Sequence, residues 1–318
     1  MDKTWLTFAA LSCFSSSAIA DFWQVRWEND IIIGVDGNYT NGFSYSWGYQ
    51  DDALTLPKDL PLLTLHQWLS PTLDDEQIQW GFNVSQQIWT PEDIAIEAPQ
   101  PNQRPYAGHL KLDSFFHRHN QQTSLKTWLA IGKVGEESLA KSVQSLVHAL
   151  TGSSQPKGWQ YQIKSQFTLD AAFEYEARLF GTDNWDQSVF SQVSVGNFRS
   201  EANVGFRLRY GHSIGASFGQ LSTRFGQGEN WQALPHLNWQ LYLQGQVGYR
   251  FNDITIEGEL PYVSNVTIQH QQWALSTGVI VPIFNHQLTW SMNAYSPSYD
   301  SAKDNVLMYA SLKYGGTF

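Results

Sequence analysis

Apolar and polar positions alternate along nearly the whole chain. In 38–50, Phe43, Tyr45, Trp47 and Tyr49 fall on one side, and Thr40, Gly42, Ser44, Ser46, Gly48 and Gln50 on the other. A strand sends successive side chains to opposite faces, so this stretch predicts one aromatic face and one small, polar face. About twelve such runs follow one another: 22–30, 38–50, 77–89, 106–118, 123–134, 158–176, 187–198, 203–213, 236–251, 267–281, 286–295 and 305–318. Each reaches or exceeds the roughly 9–11 residues that carry a tilted strand across a membrane. The fold this predicts is all-β, an up-and-down antiparallel transmembrane β-barrel of about twelve strands. Closure leaves no unpaired edge, which is what lets a sheet stand in lipid. The last run ends on Phe318, an aromatic ending like that of bacterial outer-membrane barrels.

Composition supports this reading over a soluble β-sandwich. Charged residues make up 15% of the 318, against roughly 25% in soluble domains. Fourteen Trp, fourteen Tyr and eighteen Phe accompany a mean hydropathy of −0.35, as expected when lipid-facing and lumen-facing rows average out. The net charge of −10 argues against nucleic acid as a partner. Residues 1–20 read as a signal peptide: Lys3, an apolar core from Trp5 to Phe14, and Ala18-Ile19-Ala20 before Asp21. The one cysteine, Cys13, lies inside it, so the exported chain, 21–318, is expected to be a single cysteine-free barrel domain.

With a periplasmic N-terminus, the segments 31–37, 90–105, 135–157, 199–202, 252–266 and 296–304 become extracellular. The short connections 119–122 and 282–285 fit periplasmic turns, whereas 51–76 and 214–235 are too long for the pattern. The third outer loop, 135–157, carries a helix at 136–151. Leu139, Val143, Leu146, Val147 and Leu150 recur at three- and four-residue steps, with Ser138 as N-cap and Gly152 as stop. His148 falls opposite that stripe, so a helix lying at the membrane surface with its stripe towards acyl chains turns His148 to the barrel rim.

Four stretches together resemble the outer-membrane lipid A 3′-O-deacylases: Asn29-Asp30; Tyr39-Thr40-Asn41-Gly42; Arg104-Pro105-Tyr106-Ala107-Gly108; and the helix through Val143-Gln144, His148 and Gly152 into Pro156-Lys157-Gly158-Trp159. The resemblance implies a twelve-stranded barrel in the bacterial outer membrane. It would remove the 3′-acyloxyacyl group of lipid A by ester hydrolysis, with Ca²⁺ and in the manner of a secreted phospholipase A2. It implies His148 as the general base and Asn29, Asp30 and Thr40 as the other active-site positions. The substrate partner is then the lipopolysaccharide of the outer leaflet, and the barrel is expected to act as a monomer. Two departures stand out. Some members carry an acidic residue six positions after the histidine, where this chain has Ser154, and basic residues of the second outer loop are largely missing between Thr90 and Gln103.

The residues' own chemistry is compatible. An imidazole takes a proton from water near neutral pH. Asp30 and Asn29 offer the oxygens that a hard cation such as Ca²⁺ prefers, with Asp36 a further ligand or part of a Gly-rich turn. Arg104 is expected to clamp a lipid A phosphate or to pair with a loop carboxylate. Gly215-Ala216-Ser217-Phe218-Gly219 matches a nucleophile-elbow pattern but falls in a periplasmic turn. His117 and His119 share a strand face at the periplasmic end and read as structural. The alternatives are an outer-membrane phospholipase A-type lipase, for which no His-x-Ser-Asn-Gly-like stretch exists, and an inactive pore or scaffold.

Overall fold

The computed structural model describes residues 20–30, 38–51, 56–57, 60–212, 214–221, 239–284 and 286–318. All of the expected signal peptide except Ala20, and Asp36, lie outside them. Twelve strands, β1 to β12, run Phe22–Asn29, Asn38–Asp51, Gln77–Thr90, Ala107–His119, Thr123–Val134, Gln166–Gly181, Trp185–Gly196, Arg199–Gly211, Gln240–Asp253, Gln271–Ile283, His286–Tyr295 and Leu307–Thr317. Each pairs antiparallel with its sequence neighbours, and β1 pairs with β12 from Phe22↔Thr317 to Asn29↔Ala310, which closes the barrel. Three helices interrupt it: α1 (Pro61–Leu69), α2 (Ala140–Thr151) and α3 (Ile254–Glu257).

Alternation assigns the faces. Gln24, Arg26 and Glu28 point inward and are buried, while Trp27, Phe43, Tyr45, Val84, Leu112 and Ile131 are exposed on the outer wall. The lumen is filled by charge pairs rather than water-wide space. Lys126 Nζ lies 2.8 Å from Glu174, Arg199 2.8 Å from Asp253, Arg250 3.0 Å from Glu201 and Lys111 2.9 Å from Asp113; Arg207 pairs with Glu176. Charges withdrawn from water persist only when paired and hydrogen-bonded, which explains the cross-strand matching. Tyr39, Trp89, Phe198, Ile254 and Tyr309 close the outer mouth as one apolar cluster.

The described part of the long connection after β8 turns into the lumen. Lys126 Nζ donates to Leu221 O at 2.7 Å, and Arg209 Nη1 donates to Ser217 O at 2.7 Å. Ser217 therefore holds an arginine inside a 3₁₀ turn, Ile214–Ser217, and not a strand-to-helix elbow. His117 and His119 stack with ring centroids 4.5 Å apart, and His117 Nε2 meets Ser124 Oγ at 2.9 Å. Among the described residues no three His, Cys, Asp or Glu side chains gather as a metal cluster.

Several sequence boundaries move. The sixth strand begins at Gln166, not 158, because Trp159–Tyr161 forms a 3₁₀ turn that tucks Trp159 under α2. The eighth begins at Arg199, so the outer connection before it shrinks to 197–198. Its first residues carry inward polar side chains without an apolar partner row, which hid them from the alternation. The third-loop helix begins at Ala140, not 136. Glu136–Ser138 is a 3₁₀ turn, and Leu139, at φ 62°, is the left-handed hinge between the two.

Candidate functional site at the extracellular end of the outer wall

The first local feature is a β-bulge. Tyr39 pairs with Trp89 and Asn41 with Ile88, which leaves Thr40 as the extra residue. A bulge re-aims the side chains around it. Tyr39 turns inward, its hydroxyl donating to Glu28 at 2.5 Å, whereas Asn41 turns outward and accepts from Trp27 Nε1 at 3.1 Å. Simple alternation had put Thr40 with the lumen row. Instead its Oγ1 lies 2.7 Å from Thr90 Oγ1, two positions beyond the outward Ile88. Asn29, opposite Asn41, is on the same outer face, and its Nδ2 donates to Thr40 O at 3.0 Å. Asn29 and Thr40 are thus brought together by direct contact.

α2 lies against that outer wall at β3 and β4. Gln86 Nε2 donates to Ser138 O at 2.6 Å, and Ile88, Tyr106, Ala140 and Trp159 pack as one cluster. Gly108 is where wall and helix meet: a Cβ there would collide with Ala140 Cβ and Ser138 Oγ. The motif glycine Gly158 is likewise pressed against the Tyr106 ring. The second and third outer loops are tied by Lys157 N to Ile94 O at 2.9 Å and by Ile163 N to Tyr106 O at 3.0 Å. Gly152, at φ 74°, ends the helix in the left-handed conformation that suits glycine, its N–H donating to His148 O.

The helix turns part of its stripe outward. Leu146 and Leu150 are exposed, the latter 78%, Val143 instead packs on the wall cluster, and Ala140, Gln144 and His148, four residues apart, form the buried side. His148 is 4% exposed, and its Nδ1 sits 2.6 Å from Ser154 O. A carbonyl oxygen only accepts, so Nδ1 carries the proton and Nε2 the lone pair. The backbone of Ser154 thus makes the contact that orients the ring, whatever side chain stands there.

Gln144 entered the sequence reading only as part of the Val143-Gln144 motif, with no role of its own. It is 1% exposed, and its Oε1 accepts from Trp159 Nε1 at 2.8 Å. That contact fixes the amide, and Nε2 is left buried with no hydrogen-bond partner among the described residues. A buried unsatisfied donor costs about 1–3 kcal/mol, so its retention one turn before His148 marks a position built to meet a polar group. Only its helical spacing from His148 could have drawn attention to it.

Asp30, buried at the end of β1, lies within electrostatic reach of Tyr295. Arg104 is 2% exposed, set over the Trp89 ring at 5.7 Å, and its Nη2 donates to Thr255 Oγ1 at 3.2 Å. Burial lowers its pKa to about 10, which leaves it charged at neutral pH. It belongs to the buried mouth of the barrel rather than to the outer wall, and its side-chain hydrogen bond among the described residues goes to the Thr255 hydroxyl. For a hard cation the donor chemistry fits in part: the Asp30 carboxylate and Asn29 Oδ1 are oxygen ligands, and 6–8 are usual for Ca²⁺.

Comparison with known proteins agrees with this architecture. A solved structure of LpxR from Salmonella typhimurium superposes with a TM-score of 0.75 at 15% identity, covering 93% of this chain and 100% of that one. The β domain of the Bordetella autotransporter BrkA aligns with a TM-score of 0.48 at 10% identity, over 95% of this chain and 100% of that one. No curated protein sequence matches. The family model described as "Outer membrane protein LpxR" matches residues 4–318, and by that match over nearly its whole length the chain belongs to the LpxR family of outer-membrane proteins.

Proposed function

We propose that this outer-membrane barrel is a lipid A deacylase that hydrolyses the 3′-acyloxyacyl ester, with His148 as general base. The reading rests above all on the His148 Nδ1 contact with Ser154 O, which leaves Nε2 as the ring's proton acceptor. His148 Nε2 takes a proton from water as the water oxygen attacks the ester carbonyl carbon. The tetrahedral intermediate then collapses, and the imidazolium returns the proton to the departing sugar 3′-oxygen. The products are the intact acyloxyacyl carboxylic acid and a 3′-hydroxyl. Ca²⁺ held by Asp30 and Asn29 would polarise the ester carbonyl and stabilise its oxyanion. Thr40, hydrogen-bonded to Thr90 and touching Asn29, holds that asparagine in place. Gln144 Nε2 donates to the substrate beside the reacting ester. Arg104, charged beneath the rim, supplies positive potential towards the anionic headgroup rather than an open clamp. Nothing in this scheme needs a second copy, and the barrel acts as a monomer.

Location supports the scheme. A site on the outer wall, under a helix whose apolar stripe faces outward, meets a lipid in its own leaflet without extracting it. A pore is disfavoured by the charge-filled lumen and its closed outer mouth. A Ser-based lipase is disfavoured because Ser217, the serine of the elbow-like motif, is committed to Arg209. Mass spectrometry of lipid A from cells with and without the protein tests the proposal. Loss of the 3′-linked acyloxyacyl mass is expected with Ca²⁺ and not with chelator; an unchanged spectrum in both would reject it. Gln144→Glu keeps the acceptor for Trp159 but removes the donor. It should lower kcat about tenfold, the worth of one hydrogen bond, with normal folding.

A further inference from the structure

The connection after β2 was too long for a periplasmic turn, and α1 explains why. Ser114 and Thr127 lie on the outer wall, two positions from the exposed Leu112 and the half-buried Leu129. His66, fully buried, spans both: Nδ1 is 2.7 Å from Thr127 Oγ1 and Nε2 2.9 Å from Ser114 Oγ. One nitrogen donates and the other accepts, which a neutral ring satisfies. Leu63 joins Ile78, Trp80 and Phe116 beside it. So α1 is fastened to the outside of the barrel. Ser114 stands five residues above the end of β4, about 16 Å along the strand at ~3.3 Å per residue, within the inner half of a core about 30 Å thick.

The other side of α1 is apolar as well. Leu62, Leu65 and Leu69 are exposed and Trp68 is 82% exposed. A helix wet by periplasm would present polar residues there; this one has hydrocarbon on its far side. Because α1 stands off the wall, Leu62 and Leu65 form one bank of a groove whose floor is Phe82, Leu112, Leu129 and Ile131. The groove opens sideways into the bilayer; of the polar residues that line it, Ser114 is held by His66 and Asp170 accepts from Phe198 N and Arg199 N.

We propose that this groove binds one acyl chain of a membrane phospholipid. A bare barrel wall offers a chain contact on one side only; here α1 adds a second bank. The groove is continuous with the lipid-facing surface of an outer-membrane barrel, so acyl chains are the medium that reaches it. Its second bank, α1, comes from the connection between β2 and β3 at the periplasmic ends of the strands, which favours phospholipid over lipopolysaccharide. The assignment is independent of the deacylase reading.

Native mass spectrometry of the full chain, purified in mild detergent and titrated with phosphatidylethanolamine, tests it. One lipid per barrel is expected to be retained. Leu65→Trp, which fills the groove from an exposed position, should reduce retention about tenfold, as expected when contact on one bank is lost. Trp68→Ala, outside the groove, should retain lipid as the parent does. Heat-modifiable migration reports folding of each variant, and Leu62→Phe serves as the second filling variant if Leu65→Trp misfolds. Equal retention in the filled variants overturns the proposal. So does a dimer mass that the same variants abolish, since the groove would then be an interface between copies. Retention of lipopolysaccharide in place of phospholipid overturns the assignment of the occupant.

Discussion

If the proposed mechanism holds, His148→Ala is expected to abolish deacylation while the barrel still folds. Removing a general base typically costs 10²–10⁴-fold in rate. The side chain lies on α2, outside the strand ladder, and its Nδ1 donates to the Ser154 carbonyl. Loss of the ring therefore leaves the barrel's pairing from β1 to β12 untouched. The measurement is lipid A mass spectrometry beside heat-modifiable electrophoresis. A variant that folds and keeps its rate would remove His148 from the mechanism.

Gly108→Val is expected to be nearly as damaging, although residue 108 carries no chemistry. Added atoms at this position meet Ala140 and Ser138, so the first turn of α2 must leave the wall. His148 rides on that helix two turns further on. Displacing a catalytic group by about 1 Å can cost on the order of 10²-fold, and this substitution moves a whole helix. Folding should survive, because Gly108 is one residue inside the outer end of β4. Faster proteolysis within 139–157 than in the parent, together with lost activity, is the expected pair of results. A variant with the parent's cleavage rate and full activity would show that α2 does not depend on this contact.

The barrel was readable because its two faces meet different media. Each strand writes that difference as a period of two, and twelve of them outweigh errors at the ends. α2 was readable for a related reason: its stripe at Leu146 and Leu150 faces outward and His148 faces the wall. α1 was not. Its residues, Leu60 to Leu69, are apolar on both sides of the helix, because one side packs on the wall and the other is exposed, so no amphipathic contrast marks it. Thr40 was misplaced by a single inserted residue, which reverses alternation locally and leaves no sign in composition. Gln144 was named with its motif but given no role, because a buried amide is distinguished by what it bonds, and Trp159 lies fifteen residues away.

The family likeness stated from Asn29, Tyr39–Gly42, Arg104–Gly108 and the helix holds at the level of the family match. Its motif glycines and aromatics have plain tasks: Gly108 admits α2, and Tyr106 with Trp159 seats it. The missing acidic residue at 154 is met by a main-chain oxygen, a group that substitution cannot remove.

The ion pairs inside the cylinder make it a solid post. Among the described residues this packing crowds the path that a small solute would take, so a bacterium could carry many copies of such a post at little cost to the seal of its envelope. The number of copies and the tightness of that seal are then separable traits, and selection can raise the one without eroding the other.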